Sequence, residues 1–457
     1  MAQPAWNAVV SESHVVVVGG GLAGLQAAIE CVDAGARVTL LEARPRLGGA
    51  TWSTTRGDLE IDNGQHVFLR CCTAYRGFLA RVGSEDRVTL QSRLAVPVAS
   101  PGRGVAWIRR HSLPSPAHLA PSVLRFHHLP FRDRVQAGLT ARRIASLDLG
   151  DPALDTQRFG DWLAAHGESA AAIDGFWDLL VRPTLNLPAR EASLALAAKV
   201  FQTGFLEQPD AADVGWATVP LRAVHADPAA EVLYKAGARV LTRHAIEAIE
   251  TGAGGPAVRV AGEWLVADAV ILAVPHDEAA DLLPAAARVD RAGIRALGRA
   301  PIVNLHVVFD RPILEHAFLA GIDTPLQWTF DRTRGAGLAR GQYLAVSLSA
   351  ADAWVGVAQA EMRRHFVPAF EALLPAARGA RVEEFFVTVE RAATFRQGPG
   401  TRAARPGPDV GLPGVFVAGA WTDTGWPATM EGAVRSGTSA ALAALRAVAR
   451  APARSAA

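Results

Sequence analysis

Residues 14–24 read HVVVVGGGLAG, and no other stretch constrains the fold as strongly. Four consecutive valines predict a buried parallel strand, apolar on both faces. Gly19, Gly21 and Gly24 follow in the spacing G-x-G-x-x-G. The first glycine suits a tight turn, the second lets backbone approach a pyrophosphate, and the third lets a helix pack on the strand. That helix is expected over 22–34, with Leu22 and Ala23 opening it beside the pyrophosphate. Leu25, Ala28, Ile29 and Val32 share one face, and Gly35 ends it. A second strand, 37–41, puts Glu42 at its tip, where a carboxylate can accept hydrogen bonds from ribose hydroxyls. Strand, glycine turn, helix, strand and acid in this order predict an α/β, Rossmann-type dinucleotide-binding domain.

A chain of 457 residues exceeds one small core, so two or three domains are expected. A net charge of +2 gives no case for nucleic acid as a partner. Cys31, Cys71 and Cys72 fit a reduced compartment and ordinary packing, and no metal-binding spacing occurs. The N-terminus lacks a basic, then apolar, leader, and no apolar run reaches about 18–20 residues, so neither a signal peptide nor a spanning helix is expected.

After Glu42 the chain reads EARPRLGG. Arg44 and Arg46 can neutralise phosphate charge, and Gly48 and Gly49 let backbone pass close to a bulky ligand. This continuation resembles the FAD-dependent amine oxidases and carotenoid desaturases, which implies FAD as the cofactor. Those families place an arginine after the two glycines, where this chain has Ala50. They also touch adenine through the backbone of the residue at Ala245.

Residues 58–69 read DLEIDNGQHVFL. Asp62, Gln65 and His66 form a polar cluster around the Asn63–Gly64 turn. One reading is a hydrogen-bonded turn. The other sets it against the flavin, with Asp62 or His66 available for acid–base work. IDNGQHVFL resembles a signature of the hydroxysqualene dehydroxylases, also called squalene-associated FAD-dependent desaturases. The resemblance implies that Gly64, Gln65, His66 and Val67 line the flavin.

Near the other end lies GAWTDTGWPATMEG, residues 419–432. A buried strand is expected over 415–418, and Thr429 opens a long helix. A helix N-terminus stabilises negative charge, so its start, with Gly419, Thr429 and Met430, is expected beneath the reduced flavin. This segment resembles the C-terminal flavin motif of the same dehydroxylases, except that Ala420 stands where related FAD enzymes carry an acid.

The resemblance spans both ends and implies a reaction. Hydroxysqualene takes a hydride from reduced FAD, loses its hydroxyl as water and becomes squalene. Trp421 and Trp426 are expected to face the substrate cation, and Asp62, His66 and Asp423 are the candidate acids. A carotenoid-type desaturase is the alternative; an amine oxidase is disfavoured because the only lysines are Lys199 and Lys235, and a non-catalytic isoprenoid-binding scaffold remains a further alternative. No second dinucleotide fingerprint appears, so a separate electron donor is expected.

Residues 111–150 carry Arg125, Arg132, Arg134, Arg142 and Arg143 among Leu124, Phe126, Leu129 and Phe131, broken by prolines. This composition fits an anionic membrane surface, or else a pair of domain helices with a solvated basic face. With the membrane reading, a cytoplasmic protein attached to the inner face of the cell membrane is expected. The expected organisation is FAD-binding parts at 14–105, 225–298 and 397–449. Between them lie a helical substrate- or membrane-facing segment, 106–224, and a mixed α+β substrate domain with an antiparallel sheet, 299–396.

Overall fold

The computed structural model describes residues 13–450. The valine strand, His14–Val18, lies inside a six-stranded sheet. Arg37–Glu42 and Ala269–Leu272 flank it in parallel, with Arg239–Thr242 beyond the first and Val415–Val417 beyond the second. Asp409–Leu412 closes the edge antiparallel. Three separated stretches of chain therefore build one sheet.

Alternation explains why every residue of the valine run is apolar. Val15 and Val17 point into a core shared with helices Leu22–Asp33 and Met430–Arg450. Val16 and Val18 point into the opposite core, covered by Ile249 and Val258 of a small three-stranded sheet. The two helices cross closely: a Cβ on Gly437 would lie 2.3 Å from the Ala23 carbonyl oxygen.

A second sheet has seven strands. Its longest internal strand, Ala300–Phe309, pairs antiparallel with Gln342–Leu348 and with the edge strand Val382–Thr394. Its other edge is the hairpin of Ala95–Ser100 and Gly104–Arg109, joined to the sheet through Phe318–Gly321. The expected boundary after residue 105 cuts this hairpin. The ladder from Ala95↔Arg109 to Ser100↔Gly104 keeps its two strands together, so the amino-terminal part also serves the second sheet.

The region between is mainly helical, including Phe131–Ala145, Asp178–Leu185 and Leu194–Phe201. One strand interrupts it. Val214–Ala217 lies between Val67–Leu69 and Val88–Leu90 and ties the helical region to the turn that precedes Val67. Among the described residues no helix is long and apolar enough to cross a membrane.

Candidate flavin site

The glycine turn has the geometry its spacing demands. Gly19 has φ +104°, and a Cβ there would lie 2.4 Å from the Ala273 carbonyl oxygen. A Cβ on Gly24 would lie 1.8 Å from the oxygen of Gly19. Any side chain at either place would drive the helix off the sheet. Over Gly21 the nearest atom is the Cα of Gly49, at 3.7 Å from a built Cβ, and Gly48 N–H donates to Gly20 O at 2.8 Å. The EARPRLGG loop thus folds back over the turn.

Glu42 is buried, and its carboxylate accepts from Gly20 N–H and Arg44 N–H, both at 2.7 Å. Each oxygen retains acceptor capacity for a ribose hydroxyl. His244 N–H donates to Glu42 O at 2.9 Å and Arg243 N–H to Arg44 O at 3.0 Å. These two bonds bring Ala245 to the strand tip, beside Glu42.

Two observations fit a dinucleotide here. Helix Leu22–Asp33 has no side-chain cap, so its first N–H groups are free to bind an anion. Arg46 stacks 3.9 Å over Trp52, and its buried Nη1 has no protein partner. Burial, with the neighbouring Arg44, pushes the Arg46 pKa down against the pull of Glu390 and Glu42. Arg44, in contrast, is exposed.

The turn at 62–67 is fixed from both sides. Asn63 Nδ2 donates to Ala50 O at 2.8 Å, so the Ala50 position contributes through its backbone. Asn63 O accepts from Asn304 Nδ2 at 2.7 Å and Thr388 Oγ1 at 3.2 Å, on the second sheet. Gly64 fits because a Cβ there would lie 3.1 Å from Asn304 Nδ2. Asp62 accepts from Ser53 Oγ at 2.7 Å, Leu221 N–H at 2.9 Å and Arg332 Nη2 at 3.0 Å. With three donors already on its oxygens, Asp62 is suited to positioning the turn.

His66 differs. It is half-buried and lines a cleft with Gln65, Val67, Trp216, Phe330 and Arg332. In the neutral tautomer that donates from Nδ1 to Gly64 O at 3.2 Å, Nε2 carries the lone pair. Desolvation holds its pKa below the usual imidazole value, against the pull of Asp62.

Arg405 explains the stiffness of residues 419–432. It is buried and donates to the carbonyls of Trp421 at 3.2 Å, Thr422 at 2.6 Å and Trp426 at 2.8 Å. Gln397 Oε1 accepts from Ala428 N–H at 2.8 Å, while its Nε2 donates to Leu185 O in the helical region. Gly419 N–H donates to Ser436 Oγ at 2.8 Å. Thr429 Oγ1 caps the last helix by accepting from Gly432 N–H at 3.2 Å, and Met430 is that helix's first residue. Glu431 accepts from Ala74 N–H at 3.1 Å and Tyr75 N–H at 2.7 Å, tying the start of helix Thr73–Val82 to the same corner.

Two expected residues fall elsewhere. Trp421 is buried in the core beneath Gly419, with Nε1 donating to Val274 O at 3.0 Å, because the glycine leaves room for an indole there. It is a packing residue and not a substrate contact. Asp423 is exposed, and its Oδ1 closes a turn on Gly425 N–H at 3.1 Å. Solvent on that carboxylate is unsuited to a proton donor in a dry site. Trp426 is half-buried, with Lys199 Nζ 5.1 Å and the Arg435 guanidinium 4.9 Å from its ring.

The chain matches the family model of flavin containing amine oxidoreductases over residues 22–445. It is 29% identical to a hydroxysqualene dehydroxylase of Sinorhizobium fredii, covering 94% of this chain and 97% of that protein. It is 30% identical to a hydroxysqualene dehydroxylase of Rhodopseudomonas palustris, over 93% and 97% of the two chains. A zeta-carotene desaturase of Synechocystis is 26% identical over 94% and 97%. Among solved structures, an oxidoreductase from Methanosarcina mazei superposes with a TM-score of 0.72 at 17% identity, covering 93% of this chain and 99% of that one.

Proposed function

This chain belongs to the flavin containing amine oxidoreductase family and is a FAD-dependent oxidoreductase; we propose that its reaction is the reductive dehydroxylation of hydroxysqualene to squalene. The observation carrying this reading is the likeness to two hydroxysqualene dehydroxylases over nearly the full length of all three chains. The 62–67 turn supports it by opening on a cleft walled by Trp216 and Phe330.

The reaction asks for a hydride, a proton and a dry place for a carbocation. Reduced FAD, when bound, supplies the hydride. The aromatic faces of Trp216 and Phe330 stabilise positive charge and exclude the water that would recapture it. Trp426, at the flavin crossover, is a further aromatic face for the substrate. His66, protonated at Nε2, gives that proton to the departing hydroxyl, which leaves as water, and the ring returns to its neutral tautomer. Asp62 and Arg332 hold that turn in place.

In this reading the substrate is a long-chain isoprenoid drawn from the cytoplasmic face of a membrane, and electrons arrive from a separate donor. The test is a single turnover: reduced, FAD-loaded protein is mixed with hydroxysqualene and the extract analysed by mass spectrometry. One equivalent of squalene per flavin supports the assignment, and unchanged hydroxysqualene refutes it. A carotenoid desaturase is the second reading, favoured by the likeness to the Synechocystis enzyme. It requires electrons to flow in the opposite direction, from polyene to oxidised flavin.

A further inference from the structure

Five of the eleven large apolar side chains exposed among the described residues fall between positions 113 and 139. Three of them, Phe131, Val135 and Leu139, lie along helix Phe131–Ala145 at successive i, i+4 positions and are 66%, 42% and 52% exposed. With Arg142 they occupy an arc of about 80° at 100° per residue. The opposite face, Asp133, Ala137, Thr140 and Ile144, is buried. The outer stripe is therefore apolar, and no part of the chain among the described residues covers it.

The charges around the stripe have one sign. Arg125 and Arg142 are exposed, and their guanidinium groups make no ion pair or hydrogen bond among the described residues. Arg132 is exposed beside Asp133, while the Asp133 carboxylate is buried and accepts from Ser169 Oγ at 2.7 Å. Arg134 and Arg143 donate to main-chain carbonyls, which anchors them without neutralising them. A twofold-related copy would bring arginine against arginine, which opposes self-association through this face. The matching surface is apolar just below a layer of negative charge.

We propose that Leu113, Leu124, Phe131, Val135 and Leu139, with Arg125 and Arg142, form a docking face for an anionic phospholipid bilayer. The proposal rests on the isoprenoid reading above for its purpose but not for its chemistry. The apolar side chains enter the acyl boundary and the guanidinium groups meet lipid phosphates. On the protein side of the same hairpin, Phe126 and Leu129 belong to an apolar cluster that continues through Phe176 and Trp177 to Phe330, in the wall of the His66 cleft.

Flotation of the full, FAD-loaded chain tests the proposal. Vesicles of phosphatidylglycerol with phosphatidylcholine are compared with phosphatidylcholine alone. Flotation with the anionic vesicles only, weakened by salt, is expected. Arg125→Gln with Arg142→Gln should weaken that partition about twenty-five-fold, at roughly fivefold per arginine near an anionic surface. Phe131→Gln with Leu139→Gln should also release the protein. Both variants should keep the wild-type flavin spectrum and turn over detergent-dispersed substrate at the wild-type rate. Flotation that is absent, indifferent to lipid charge or unchanged in both variants would overturn the proposal. So would a wild-type dimer that either variant dissolves. Vesicle binding without squalene formation would leave the docking face standing and remove the substrate assignment.

Discussion

Arg332 and Asp62, 270 positions apart, meet at 3.0 Å in a buried ion pair that joins the end of a second-sheet strand to the 62–67 turn. Arg332 also donates to Ala217 O and Val219 O, and Asp62 accepts from Leu221 N–H. Three segments therefore converge on one pair, which lies in the lining of the same cleft as His66.

Removing one partner leaves the other charged and buried. Asp62→Ala should cost about 3–5 kcal/mol of stability, whereas Asp62→Ala combined with Arg332→Met should recover much of that loss. Urea denaturation of the two variants measures the difference. Equal destabilisation would show that the Arg332 charge is not the source of the penalty.

His66 is expected to act on the substrate without holding the cofactor. His66→Phe should retain bound flavin and slow single-turnover squalene formation by about 10²–10⁴-fold. Asp423→Asn, at an exposed turn, should stay within about twofold of wild type, as surface substitutions do. Rapid-quench kinetics on both variants separates the two roles; a slow Asp423 variant would reverse them.

Arg405 should control flavin retention from beneath the crossover. Arg405→Met strands the carbonyls of Trp421, Thr422 and Trp426, at about 1–3 kcal/mol for each group left buried and unpaired. The purified variant should show a lower ratio of flavin to protein absorbance and a lower melting temperature. Full flavin content would mean that Gln397 and Ser436 hold the crossover unaided.

Acid should destabilise the fold through buried histidines. Burial pushes His225 and His306 down to about 3 from 6.5. As pH falls from 6.5 towards 3, the unfolded chain takes up protons that the folded chain does not. Stability therefore drops, with a limiting slope of about 1.4 kcal/mol per pH unit for each histidine. His225→Phe should reduce the slope by about that amount between pH 6 and pH 5, read by urea denaturation. An unaltered slope would show that His225 keeps its proton on folding.

The valine strand, glycine turn, Glu42 and last helix were legible because each is specified by residues adjacent in sequence. Their alternation, glycine spacing and capping are local physics. Arg332 was not legible, since nothing near it announces a partner 270 residues away. Arg405 was hidden in a loop rich in Gly, Pro and Arg, where its burial depends on the distant crossover. Trp421 was misassigned because an indole beside a glycine looks the same whether it faces ligand or core. Asp423 carried a usable local signal: an aspartate two residues before a glycine often accepts from that glycine's N–H in an Asx turn.

The central claim is net reduction of a lipid alcohol by flavin. Its most direct test follows flavin absorbance while the anaerobically reduced protein is mixed with hydroxysqualene. Reoxidation of the flavin in step with squalene formation is the predicted result. A flavin that stays reduced, in protein with full FAD content, would contradict the account and favour the desaturase.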